Sequence, residues 1–118
     1  MISSIIDILI DISNTFGSLI RSIALKLKDY NSLLISTNRC TTVDLQTLFQ
    51  QFPQINKELS LCKHSVKYIL ITNTSNKNKI AYNVILLSSE AKLVHSFNIL
   101  KKVSDISITL PSTCYWEL

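Results

Sequence analysis

Ser112 and Thr113 follow Pro111 directly, and Lys101 and Lys102 stand a short way upstream. A strand that delivers two hydroxyls to a loop, with a lysine pair nearby, suits a site that holds phosphate and ribose oxygens. Lys92, Lys77 and Lys79 add point charges of the kind that neutralise phosphates. Arg39, beside Asn38 in the polar loop Thr37 to Cys40, can fork a phosphate through two parallel N–H bonds. His95 and the pair Tyr115-Trp116 offer flat faces for stacking unpaired bases. Each group has an ordinary alternative. These are a plain turn, a solvated lysine surface, a strand histidine with its ring satisfied, and an apolar plug.

Other chemistries find less support. Cys62-Lys63-His64, with Cys40 and Cys114 far away, has no C-x₂₋₄-C pair of the kind a zinc site wants. A Cys/His nucleophile would need a third group to orient it, and none is evident. Asp7 and Asp11 lie one helical turn apart and read as charges near a helix N-terminus rather than an acid/base pair. One glycine in 118 residues excludes a Gly-rich phosphate loop. The expectation is a non-enzymatic protein with no catalytic residues, no metal, no cofactor and no small-molecule substrate.

Composition sets the bounds. Hydrophobic residues make up 47% and charged residues 17%, so the chain is not of the disordered class. The length fits one domain or two small lobes sharing a core. The net charge of +4 favours an anionic partner. It is unevenly spread: residues 57–102 carry eight lysines against Glu58 and Glu90, so the basic character sits in the C-terminal half. Three widely spaced cysteines argue against a disulfide framework and for a reducing compartment. Asp7, Asp11 and Arg21 interrupt the N-terminal apolar run, which reads neither as a signal peptide nor as a membrane span.

The elements that must position these residues follow from periodicity. Residues 4–28 read as an amphipathic helix, with apolar residues at 5, 6, 9, 12, 16, 19, 20, 23 and 27. Ser4 and Asp7 form a capping box, and Gly17 is a place for a kink. Asn31–Ser36 reads as a short strand. Thr41 and Asp44 open a second helix through Val43, Leu45, Leu48, Phe49 and Phe52, which Pro53 stops. Leu59–Leu61 reads as strand or turn. Val66–Thr72 and Lys79–Ser88 form a hairpin around a polar turn at Asn73–Asn78. Lys92–Phe97 and Ile106–Leu110 are further strands, with an amphipathic turn at Ile99–Val103 between them. The sum is an α+β fold with a β-rich C-terminal part.

Three segments carry a resemblance. Ile5-Ile6-Asp7-Ile8-Leu9-Ile10-Asp11-Ile12-Ser13-Asn14 resembles an opening I-A-D-M-L-T-x-I-R-N at the same spacing. Leu34 to Ile55 is similar, without a gap, to a strand, a P-x-S-K-L loop, a helix and an E-G-[YF]-I close. Val84 to Thr113 resembles I-x-x-[IV]-S-K-P-G-x-R-x-Y followed by L-x-K-V and G-I-x-[IV]-[LV]-S-T. These are motifs of the bacterial-type small-subunit ribosomal protein S-eight family, whose members bind small-subunit rRNA. The resemblance puts Ser88 on the motif's Ser, His95 on its Tyr, Leu100 and Val103 on the L-x-K-V pair, and Ser112-Thr113 on the closing S-T. Ser89-Glu90-Ala91 stands where the family has K-P-G, and Trp116 stands where it has a glycine.

The resemblance implies an N-terminal α-β-α-β-β lobe over residues 1–88 and a smaller β-rich C-terminal lobe over 89–118, shorter than the family's. It implies a structural, rRNA-binding role within a small ribosomal subunit, beside neighbouring ribosomal proteins and away from any membrane. Ser112, Thr113, Lys101, Lys102, Arg39, Lys92, His95 and Asn38 are its expected RNA contacts. The Ile/Asn/Lys-rich composition points to an organellar genome, the mitochondrion first and otherwise the plastid or the cytoplasm. The competing expectation is a small interaction module that presents the 4–28 helix to a partner groove.

Overall fold

The computed structural model describes residues 30–118. The 4–28 helix, its Gly17 kink, its capping box and the Asp7–Asp11 pair lie outside the described residues.

Among the described residues, three short α-helices precede a four-stranded antiparallel sheet: α1 (Asn31–Ser36), α2 (Leu45–Gln51), α3 (Pro53–Ser60), then β1 (Tyr68–Asn76), β2 (Lys79–Leu87), β3 (Leu93–Lys102) and β4 (Thr113–Glu117). The strand order is β3-β2-β1-β4. The α+β class therefore stands. The strands assigned to residues 89–118 flank the β1–β2 hairpin in this same sheet.

Several elements differ from the sequence reading, each for a local reason. Asn31–Ser36 is a helix, not a strand. Tyr30, Leu33 and Leu34 recur at helical spacing and pack as one face against the sheet; the apolar run alone hides this because Tyr30 falls before it. Asp44, not Thr41, caps α2, its Oδ1 accepting the Thr47 N–H at 2.8 Å. Pro53 does end α2, but it also opens α3 as its first residue, where its missing N–H costs nothing. That helix absorbs Leu59 and Ser60, which rules out a strand there, and Ile55 and Leu59 are its buried face.

Farther on, β3 runs unbroken through Ile99 to Lys102, so the amphipathic turn is strand. Ile106–Leu110 is not a strand but part of the connection from β3 to β4. Its alternating Ile106, Ile108 and Leu110 pack on the helix side of the sheet. Period two is present without a partner, because the edge of β1 is already taken by β4. Thr113–Glu117, read as loop and plug, is that fourth strand.

The sheet separates two cores. On one face Ile69, Ile71, Val84, Leu86, Phe97, Cys114 and Trp116 pack against Leu48, Phe52, Ile55 and Leu59 of the α2–α3 layer. On the other, Leu70, Ile85, Leu87 and Ala91 meet Leu34 of α1. Both faces of β2 are thus buried, and its run from Ala81 to Leu87 has no exposed residue.

Two predictions arise here. Thr72 is 4% exposed and its Oγ1 has no hydrogen-bond partner. An unmet buried hydroxyl is a liability that an isosteric methyl removes, so Thr72→Val should raise the unfolding free energy by about 1 kcal/mol, read as a higher urea midpoint. A lower midpoint would mean that the hydroxyl has a partner. The second concerns the α2 cap. The backbone N–H of Thr47 holds the Asp44 carboxyl below its usual range. A depressed folded-state pKa contributes stability in full above the unfolded value and loses it as the pH falls through the lowered one. Asp44→Ala should therefore lower the melting temperature at neutral pH, with the gap closing in acid below about pH 4. A gap independent of pH would count against the cap.

Candidate nucleic-acid interface

The expected contacts do not all gather in one place. Ser112 and Thr113 enter β4 at the end of the sheet where β1 finishes and β2 begins. Asn73 anchors them from β1: its N–H donates to the Ser112 carbonyl at 2.9 Å and its Nδ2 to the Pro111 carbonyl at 2.7 Å. Lys102 finishes β3 at this same end, directly opposite Lys79 of β2. Lys77 stands in the tight turn between β1 and β2 with φ of 55°. Ser112, Lys77, Lys79 and Lys102 are exposed and Thr113 is half-buried. The hydroxyls are level with Thr72 and Asn73 and the lysine pair with Asn76, so a strand spacing of about 4.8 Å and a rise of about 3.3 Å per residue put them roughly 14–20 Å apart at the backbone, a span of several phosphates on one strand of nucleic acid.

The Lys79–Lys102 pairing is electrostatically unfavourable. Like charges directly opposite across two strands repel, and an anion lying over both relieves the repulsion. In the sequence Lys77 and Lys79 stand with Lys92, Lys101 and Lys102 as candidate phosphate neutralisers. The signal that finds Lys79 is the hairpin register, which sets it opposite Asn76 in β1 and Lys102 in β3.

Lys101 turns the other way. Its Nζ donates to the Gln51 carbonyl at 2.6 Å, at the C-terminal end of α2, and lies 4.4 Å from the centre of the Phe52 ring. A cation there meets the negative end of the helix dipole and the face of an aromatic ring. The charge of Lys101 thus ties the helical layer to the sheet.

Asn38 and Arg39 run along the outer side of β4. The Cys40 N–H donates to the Tyr115 carbonyl at 2.8 Å, the Tyr115 N–H donates to the Asn38 carbonyl at 3.3 Å, and Arg39 pairs in parallel with Tyr115. Arg39 is exposed and sits two residues along from Thr113. It can join the Ser112–Thr113 group from the side.

Lys92 and His95 lie elsewhere. Lys92 closes the β2–β3 turn, where its carbonyl accepts the Ser88 N–H, at the far end of β3 from Lys102. Ten strand residues span roughly 33 Å, so Lys92 and Lys102 do not share one contact. His95 Nε2 is 3.0 Å from Glu58 Oε2 of α3, and its ring stacks on Phe97 with centroids 5.7 Å apart. Its ring is engaged within the fold. Trp116 is buried, with Nε1 donating to the Val43 carbonyl at 2.7 Å, and so offers no face for a base.

The thiols are poorly placed for chemistry. Burial and the neighbouring Cys40 push Cys114 up to about 12, and burial with the Glu58 carboxylate raises Cys62. Neither forms an appreciable thiolate near neutral pH. Among the described residues, no group of three or more His, Cys, Asp or Glu side chains is placed to hold a metal ion, and no helix is long and apolar enough to cross a membrane.

No protein-family model matches this chain, and neither a curated protein nor a solved structure is detectably similar to it.

Proposed function

We propose that the protein is a structural rRNA-binding component of a small ribosomal subunit, related to the S-eight family and acting without catalysis. The observation that carries this reading is the cationic end of the sheet. Lys77, Lys79 and Lys102 cluster there, three to four residues along the sheet from the Ser112–Thr113 hydroxyls, a combination suited to phosphate and ribose oxygens along one strand. Arg39 and Asn38 extend the contact along β4, while Lys92 would meet a separate stretch of RNA. Neighbouring ribosomal proteins are the other partners. An organelle is the proposed location, the mitochondrion first and the plastid or the cytoplasm otherwise. The two-lobe division at residue 88 and the N-terminal α-β-α-β-β order belong to the same proposal, with a helix standing at Asn31–Ser36 in place of that order's first strand.

A turn supports the kinship. Ala91 takes φ of 60°, in the left-handed region that glycine favours, and it occupies the position of the glycine in the family's K-P-G. The Ala91 N–H bonds to the Ser88 carbonyl at 2.9 Å, and the Ser88 N–H bonds to the Lys92 carbonyl at 2.9 Å. A three-residue hairpin loop of this type calls for a left-handed residue at its close.

The test is binding to a small-subunit rRNA transcript across a salt series. With about four phosphates neutralised, log affinity should fall with log salt at a slope of about −3 to −4. Lys79→Glu combined with Lys102→Glu should weaken binding at least about tenfold and flatten the slope by about 2. Affinity and slope both unchanged would remove this end of the sheet as the contact.

A further inference from the structure

The connection that leaves β3 carries a hydroxyl that the RNA contact does not use. Lys101-Lys102-Val103-Ser104-Asp105 ends the strand and begins the turn after it. Val103–Asp105 form one turn of 3₁₀ helix with no buried residue, and Val103, Ser104 and Asp105 are all exposed. The turn is closed by the Ile106 N–H, which donates to the Val103 carbonyl at 3.2 Å. It is tied to the β1–β2 turn, where the Asn78 carbonyl accepts the Val103 N–H at 2.7 Å. Lys77 and Lys79 flank Asn78, and Lys102 stands opposite Lys79. Ser104 therefore sits beside the cationic end of the sheet, two residues from Lys102. Among the described residues, no carboxylate pairs with Lys77, Lys79 or Lys102, and Asp105 is the acidic residue of the turn.

We propose that Ser104 is a phosphorylation site whose phosphate masks the cationic end of the sheet. Lys101 and Lys102 stand three and two residues before it. That is the charge pattern a basophilic protein kinase reads with its own carboxylates. Presenting Ser104 to a kinase requires the segment to open locally. A single exposed turn does so readily, once Lys101 releases the Gln51 carbonyl and the Phe52 ring. The donor is ATP. A bond forms between Ser104 Oγ and the γ-phosphorus as the γ-phosphorus leaves its bridging oxygen; ADP departs, and the hydroxyl proton passes to the kinase base. The product carries about 1.5–2 negative charges near neutral pH. Beside three lysines that lack carboxylate partners it makes charge-assisted bonds within the protein, and those lysines are lost to RNA phosphates. The consequence rests on the RNA-binding reading; the modification itself does not.

The probe is the catalytic subunit of cyclic-AMP-dependent protein kinase with ATP, acting on the full chain. Peptide mapping should place a phosphate on Ser104, and Lys102→Met should slow its incorporation at least about tenfold. No phosphate on Ser104, or a rate indifferent to Lys102→Met, overturns the proposal. Phosphorus NMR then reads the neighbours without RNA. The phosphoserine should titrate below its ordinary second pKa of about 6, because nearby lysines favour the dianion. Lys79→Met, outside the kinase pattern, should return it towards that value. An unshifted phosphate, or one that ignores Lys79→Met, overturns the masking. In the salt series with the small-subunit rRNA transcript, the phosphorylated chain should bind at least about tenfold more weakly, with the slope flattened by about 2. Equal binding before and after phosphorylation, at the slope expected of the unmodified chain, overturns the proposal. An unmodified chain that binds no transcript sinks the RNA-binding reading instead, while a mapped phosphate with a lowered titration still upholds the modified serine and its lysine neighbours.

Discussion

Trp116→Ala should lower the unfolding free energy by about 3–5 kcal/mol, enough to unfold a marginal domain of this size. Three losses combine. The indole leaves a hole between β4 and the helical layer, where it is 4% exposed. The Val43 carbonyl loses the donor that reaches it at 2.7 Å. The strand itself loses its grip, because β4 is five residues long and Cys114 is its other buried side chain. Trp116→Phe separates these effects. It keeps an aromatic ring but removes the N–H and part of the indole volume, so it should cost about 1–3 kcal/mol, for the carbonyl left unmet and the small gap beside it. Urea denaturation reads both as shifts in midpoint with little change in slope. A midpoint unmoved by Trp116→Ala would mean that β4 is not docked as described.

Phe52→Ala should cost about 3–4 kcal/mol. Phe52 ends α2 and introduces α3, held at φ of −129° and ψ of 74°, and Pro53 behind it disfavours a helical conformation there. Its ring meets Tyr82 edge-on, with centroids 4.9 Å apart and planes at 67°, and carries the Lys101 ammonium on its face. Lys101→Met keeps the stem and discards the charge. In a double-mutant cycle the two changes should couple by about 0.5–1 kcal/mol. A coupling near zero would return Lys101 to solvent and make it available to an RNA phosphate again.

Sequence reading succeeded where one residue's neighbours decide its conformation. The β1–β2 hairpin follows from two runs of branched residues around a polar turn, and the end of α2 follows from Pro53. It failed where tertiary contacts choose between equal local patterns. Ile106, Ile108 and Leu110 alternate as a strand does, but whether a partner edge is free is settled by Thr113–Glu117, and nothing local announces that. The Lys101-Lys102 pair is adjacent in sequence and points to opposite faces in a strand. Lys101 therefore closes on Gln51 while Lys102 joins Lys79. His95 reads as a stacking ring until Glu58, thirty-seven residues away, is seen beside it. The Ser112–Thr113 hydroxyls were legible as a pair but not their setting, which Asn73 provides across the sheet.

The position of β4 bears on how the chain is made. Emerging from its N-terminus, the hairpin and then β3 can pair as they appear, each with its predecessor. The outer edge of β1 and the segment at Asn38–Cys40 both wait for Thr113–Glu117, which lies between them. Until then Ile69 and Ile71 lie on an unpaired edge strand, beside a core that still lacks Trp116. A nascent three-stranded sheet of this kind invites pairing with another chain. The interval before residue 113 is released is when the protein most needs a chaperone or a waiting partner.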